Sequence, residues 1–159
     1  MEDVLRLLEK DARFTPQQLA AMTGKKADDI EEAIKKCESD NVIIGYTALV
    51  DWDKVDPNAV TALIEVKIAP QRGAGFDRIA ERIYQFEEVE SLYLMSGAFD
   101  LAVIISGRSI REISEFVFGR LAPIDGVTST ATHIILKKYK DKHRVFANQE
   151  EQQERLLFT

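Results

Sequence analysis

The chain has 159 residues, 45% of them hydrophobic, and a formal net charge of −6. That length holds one large domain or two small ones, and the charge gives no general attraction to nucleic acid, so any DNA contact must come from a local basic patch. Cys37 is the only cysteine, which excludes an intrachain disulfide and a metal held by a cysteine cluster; His133 and His143 are the only histidines, which rules out most metal sites built from several imidazoles. No apolar run approaches the roughly 20 residues of a membrane span and no signal-peptide core opens the chain, so a cytoplasmic protein is expected.

Asp3–Asp11 sets Val4, Leu5, Leu7 and Leu8 among charges, the pattern of a short amphipathic helix. Thr15-Pro16-Gln17-Gln18 is a helix start, with Thr15 as N-cap, Pro16 at the first helical position and Gln18 closing a capping box. Thr23-Gly24 stops this helix after about two turns. A third helix is predicted from about Ala27 to Asp40, with Ile30, Ala33, Ile34 and Cys37 as its core stripe; Cys37 then reads as a small buried hydrophobe, not a nucleophile. Val42–Val50 reads as a strand or hairpin arm.

Helix, short helix, turn, longer helix and strand is the order of a winged helix-turn-helix, whose third helix enters the DNA major groove. The chemistry is unusual for that role. Residues 1–50 hold seven Lys/Arg against ten Asp/Glu, and Asp28, Asp29, Glu31 and Glu32 stand on the presumed groove face. The cations sit at the ends of the helix, so Lys25, Lys26, Lys35 and Lys36 are the candidate DNA contacts.

Asp51–Asn58 is a polar connection ending in Pro57-Asn58 and marks a linker over 51–58 between a domain at 1–50 and another at 59–139. Val60 to Ile68 alternate as a strand, and Gly73–Gly75 opens a helix bearing Phe76, Ile79, Ala80 and Ile83. Gly73-Ala74-Gly75 lacks the spacing of a phosphate-binding loop. Two strands follow, Val89–Met95 and Leu101–Ser106, joined by the corner Ser96-Gly97-Ala98-Phe99-Asp100. Gly97 reads as the residue that frees the backbone for the reversal. Asp100 has two readings: a turn-capping carboxylate that bonds nearby N–H groups, or an acid that contacts a ligand.

Ser109 caps a helix carrying Ile110, Ile113, Val117 and Leu121, ended by Pro123, and Asp125-Gly126 turns into a last strand, Val127–Tyr139. The order βαββαβ is that of a ferredoxin-like sandwich, making the whole an α+β protein. The hairpin strands are apolar on both faces, Leu101, Val103 and Ile105 on one and Ala102 and Ile104 on the other. A sheet face left in water alternates polar residues outward, so the second face is expected to pack on another copy as a dimer. The tail, 140–159, has a polar middle at 148–154; Val145-Phe146 and Leu156-Leu157-Phe158 are placed to add a strand or pack on a partner, and a partly ordered tail is the plainer expectation.

Taken together, Asn41-Val42-Ile43-Ile44-Gly45-Tyr46 after the third helix, the Gly97-x-x-Asp100 corner and Thr130-x-Thr132 in the last strand resemble the Lrp/AsnC, or feast/famine, transcriptional regulators of bacteria and archaea. The resemblance spans nearly the whole chain. It implies a RAM-type effector domain that senses an amino acid or related small molecule, dimerises and assembles to tetramers or octamers, with double-stranded DNA as partner and regulation of amino-acid metabolism as the task. It places the effector at Ser96, Gly97, Ala98, Phe99 and Asp100, with Thr130 and Thr132 as second-rank contacts. One departure is that Ala33 stands where the family carries an Arg.

Three functions from different classes follow. The first is a DNA-binding transcriptional regulator that responds to an amino acid. The second is an amino-acid sensor or assembly protein with a degenerate, acidic helix-turn-helix that does not bind DNA. The third is an enzyme, disfavoured because no acid, base and nucleophile form a set and His133 sits alone on a strand. No cofactor, metal site or membrane partner is expected.

Overall fold

Three helices build the first core: α1 (Glu2–Lys10), α2 (Pro16–Thr23) and α3 (Ala27–Ser39). They belong to a computed structural model that describes residues 1–69 and 75–146. Val4 and Leu8, one turn apart on α1, bury against Leu19 of α2 and Ile30 of α3. The start of α2 is fixed as its residues require: Thr15 Oγ1 accepts the Gln18 N–H at 3.2 Å, and Gln18 Oε1 accepts the Thr15 N–H at 2.9 Å. Gly24 ends it at φ +70°, a left-handed cap that glycine adopts without a Cβ clash. Asp28 and Asp29 occupy the first turn of α3, where carboxylates complement the positive end of the helix dipole. Cys37 is half-buried rather than enclosed.

The segment Val42–Val50 forms no strand, contrary to the pattern of its side chains. Only Ile43 of the nine residues is half-buried, packing on the helix core, and the others are exposed. Without a partner strand among the described residues, its backbone groups have no ladder to join. The two-stranded hairpin that groups with these helices comes from the far end of the sequence instead: Lys140–Asp141 pairs with Arg144–Val145. The chain accordingly divides into two compact units, Met1–Val50 with Lys140–Val145, and Asp51–Tyr139 with Phe146.

In the second unit a short 3-10 turn, Trp52–Lys54, precedes β1 (Val60–Ile68), α4 (Gly75–Tyr84), β2 (Val89–Leu94), β3 (Leu101–Gly107), α5 (Ile110–Phe116) and β4 (Val127–Ile135). The sheet order β2-β3-β1-β4, antiparallel throughout, is the ferredoxin-like arrangement. Gly73 and Ala74 of the expected helix start, and the tail beyond Phe146, lie outside the described residues. β4 stops at Ile135, four residues short of the predicted end, because its partner β1 begins at Val60 and the last pair is Thr61 with Ile135.

Alternation in β1 sends Ala62, Ile64, Val66 and Ile68 to one face, joined by Leu101, Val103 and Ile105 of β3. Ile79 and Ile83 of α4 and Ile113 and Phe116 of α5 cover that face. α5 begins at Ser109, whose Oγ accepts the Glu112 N–H at 3.2 Å, and runs on into a π-helical turn, Val117–Leu121. That turn carries Arg120 over the Phe86 ring, 4.4 Å from its centroid, where it also pairs with Glu88. The opposite sheet face is apolar in its centre, at Leu63, Ala102 and Ile104, and polar toward the rim, where His133 Nε2 lies 3.3 Å from Glu65 Oε1.

Candidate functional site: the β2–β3 corner and the helix-turn-helix surface

The corner between β2 and β3 is stitched to the sheet by three bonds that converge on Asp100. The Met95 N–H donates to the Asp100 carbonyl at 2.8 Å, the Asp100 N–H donates to the Val66 carbonyl at 3.0 Å, and Asp100 Oδ2 accepts the Ile68 N–H at 2.7 Å. Ile68 lies beyond the last β1–β3 pair, Val66 with Leu101, so on that edge the Asp100 carboxylate takes the place of a ladder partner; on the other edge β1 shifts register against β4 between Lys67 and Ile68. On the β4 side of this irregularity, Thr128 Oγ1 donates to the Lys67 carbonyl at 3.1 Å. Of the two sequence readings of Asp100, its geometry is that of the carboxylate that caps backbone N–H.

Ser96, Gly97 and Ala98 stand exposed at the tip, with Phe99 and Asp100 half-buried at its base. Gly97 is not the conformational necessity its position suggested. Its φ lies outside the left-handed region, and a Cβ built there meets nothing within 4 Å. Gly126 is a glycine that the fold does require, at φ +93° with a Cβ position 2.6 Å from Ile79 Cδ1.

Thr130 and Thr132 pair with Val66 and Ile64 across β1, on the side away from β3. Leu101 and Thr130 flank Val66, so Thr130 reaches the same end of the sheet as the corner, about 10 Å or two strand spacings away. Thr132 is one pleat farther along. Thr128 is the extra residue at the bulge, unpaired between Val127 opposite Ile68 and Ser129 opposite Lys67, and nothing in the sequence marks that shift.

The four candidate lysines do not form one patch. Lys26 is the N-cap residue of α3 and Lys25 precedes it; Lys35 and Lys36 lie about 14 Å farther along the axis. Lys35 Nζ is tied to Glu31 Oε1 at 2.7 Å, which raises the lysine above its ordinary range and lowers the carboxyl. The Lys25 ammonium pushes the Met1 amine below its ordinary value. A second basic cluster escaped the sequence reading: Lys140, Lys142 and Arg144 on the C-terminal hairpin, hidden there by averaging with the acidic tail that follows.

Among the described residues no group of His, Cys, Asp or Glu is placed to hold a metal ion, and no helix is long and apolar enough to cross a membrane.

Comparison with known proteins accords with this geometry. The family model described as the Lrp/AsnC ligand binding domain matches residues 61–145. An uncharacterized HTH-type transcriptional regulator of Bacillus subtilis, YugG, is 48% identical over 145 residues, covering 91% of this chain and 87% of its own. The HTH-type transcriptional regulator LrpA of Pyrococcus horikoshii is 30% identical over 137 residues, covering 86% and 94%. Among solved structures, a feast or famine regulatory protein from M. tuberculosis complexed with L-methionine superimposes with a TM-score of 0.74 at 23% identity, covering 92% of this chain and 96% of that one. A Neisseria meningitidis transcriptional regulator in complex with L-Met gives 0.73 at 22%, covering 87% and 89%. These last two likenesses speak for the fold. The sequence relatives are regulators of transcription, not enzymes, and the chain belongs to the Lrp/AsnC family.

Proposed function

We propose that the protein is a cytoplasmic, DNA-binding transcriptional regulator of amino-acid metabolism whose corner Ser96–Asp100 receives an amino acid. The observation that carries this reading is the presence in one chain of a capped helix-turn-helix and a ligand-binding domain matched over 61–145. At the corner, backbone groups of Ser96, Gly97 and Ala98 and the Ser96 hydroxyl meet the charged ends of the amino acid. Phe99 and Asp100 hold the corner at its base, and Thr130 and Thr132 stand at the same end of the sheet. The L-methionine in two structural neighbours supports an amino acid as the class of effector.

The regulator works as a homodimer joined through the second sheet face, whose apolar centre at Leu63, Ala102 and Ile104 suits a twofold contact, with further assembly to tetramers or octamers. On the DNA side, Lys25 and Lys26 at the turn and Lys36 along α3 contact phosphates, and Lys35 joins them by exchanging its exposed pair with Glu31 for a phosphate. The Asp28-Asp29 pair, whose place at the helix start already accounts for it, need not face the groove. Coupling requires that the effector bind one assembly or DNA-bound state more tightly than another.

Fluorescence anisotropy against a duplex from upstream of its own gene, beside a scrambled duplex and at two salt concentrations, tests the reading. Sequence-preferring, salt-weakened binding that shifts with one amino acid from a panel is expected. Failure to bind either duplex would overturn it in favour of an amino-acid sensor with a degenerate helix-turn-helix.

A further inference from the structure

We infer that the C-terminal hairpin Lys140–Val145 is a second DNA-contacting element of the helix-turn-helix unit, gripping the phosphate backbone with Lys140 and Lys142. This rests on the DNA-binding reading above and adds a surface to it.

The hairpin is built into that unit. Arg144 Nη2 donates to the Lys10 carbonyl at 2.8 Å, meeting the C-terminal end of α1, where helix carbonyls lack intrahelical partners. Arg144 also stands opposite Asp141 in the two-stranded ladder and adds to the attraction that holds Asp11 in its ionised form. Arg144 is thereby engaged in fixing the hairpin beside the α1–α2 turn, which leads directly into the capped start of α2. In a helix-turn-helix the helix before the recognition helix crosses the DNA backbone, so an element beside its start lies toward phosphates.

Lys140 and Lys142 are left for a partner. Both are exposed, and neither pairs with an acid among the described residues. Lys142 and His143 hold the tip at φ +40° and +66°, the left-handed values a tight hairpin turn demands. Asparagine and glycine are the residues that adopt such values at little cost. Lys142 there keeps an unfavourable backbone in exchange for a charge at the tip, the kind of local strain found where a side chain is held for use. The partner that fits two unpaired, exposed lysines beside an otherwise acidic set of helices is a polyanion with regularly spaced charges. Contacts of this kind position a protein on the duplex without reading sequence.

The test compares the full-length wild type with the double variant Lys140→Gln/Lys142→Gln, leaving Arg144 in place. Each is titrated by anisotropy against the own-gene duplex and a scrambled duplex of the same length over a range of salt, with light scattering as a control on assembly. The variant is expected to bind both duplexes more weakly, and its plot of log affinity against log salt should flatten by about one unit for each lysine that reaches a phosphate. Wild-type binding with an unchanged slope in the variant would overturn the hairpin's role alone. So would a loss confined to the own-gene duplex, which would mean base reading, or a changed mass, which would mean a subunit contact. A wild type that binds neither duplex would overturn the regulator reading and the hairpin's role together.

Discussion

Asp100 Oδ2 accepts the backbone N–H of Ile68 at 2.7 Å, tying the β2–β3 corner to the point where β1 slips register against β4. A carboxylate is a stronger acceptor than a neutral oxygen, and here it stands in for a ladder partner beyond the last β1–β3 pair, Val66 with Leu101. Replacing Asp100 by Ala leaves the Ile68 N–H unpaired in a half-buried place and should lower stability by about 1–3 kcal/mol in a denaturant titration. It should also lose amino-acid binding by calorimetry. Asp100→Asn keeps an oxygen for Ile68 and should retain most of that binding. If the Asn variant folds normally yet binds as poorly as the Ala variant, the carboxylate meets the effector's ammonium group directly.

Gly97 offers a cleaner probe of the corner. Its backbone is one any residue adopts and a methyl there touches nothing within 4 Å, so Gly97→Ala should leave stability unchanged or raise it by about 0.4–1 kcal/mol through the unfolded chain. Effector affinity should nevertheless fall, because the methyl stands where the bare backbone is presented. A thermal melt and a binding isotherm on the same sample decide it; full affinity would show that the ligand does not approach Gly97.

The opposite outcome is expected at Gly126. There φ is +93° and a Cβ would stand 2.6 Å from Ile79 Cδ1, beneath α4. Gly126→Ala should cost about 1–3 kcal/mol, since both the backbone and the packing of Ile79 must give. The melting temperature should fall by several degrees while DNA affinity measured well below it is kept. An unchanged melt would mean that the start of β4 adjusts freely.

Asp11 reports on the helix-turn-helix unit through its titration. The Arg13 side chain, then the Arg13 N–H, hold its carboxyl at about 2 against an ordinary 3.8, with Arg144 adding a smaller attraction. Because the folded value is the lower one, the pair contributes stability above the ordinary carboxylate range and loses it as pH falls toward 2. Arg13→Ala should move the midpoint upward in a carbon-detected NMR titration, and Arg144→Ala should move it by a smaller step. No movement in the Arg144 variant would argue that the hairpin does not rest beside the α1–α2 turn in solution.

Local chemistry made much of this fold legible. Thr15, Pro16 and Gln18 specify the start of α2 within four residues, and Gly24 its end, because caps are satisfied by near neighbours. Strict alternation from Val60 to Ile68 fixed β1 and the face it buries. The order of elements then allowed one sandwich, and the spacing of Gly97 and Asp100 marked the corner within it.

Only the tertiary structure decided which strands find partners and which charges are spent. Val42–Val50 has the side chains of a strand, but strand formation needs a neighbour, and among the described residues none comes to it. Lys35 is paired with Glu31 on its own helix, whereas Lys140 and Lys142, folded out of a tail that averages to no charge, are exposed on either side of Asp141 and make no ion pair among the described residues. Asp100 became a clasp on Ile68, thirty-two residues away in the chain, because β1 runs on past its last pair with β3 and leaves that N–H without a ladder partner. Caps and periodicity act over one or two turns of chain and can be read from its letters; ladder partners and ion pairs depend on distances that the folded chain alone sets.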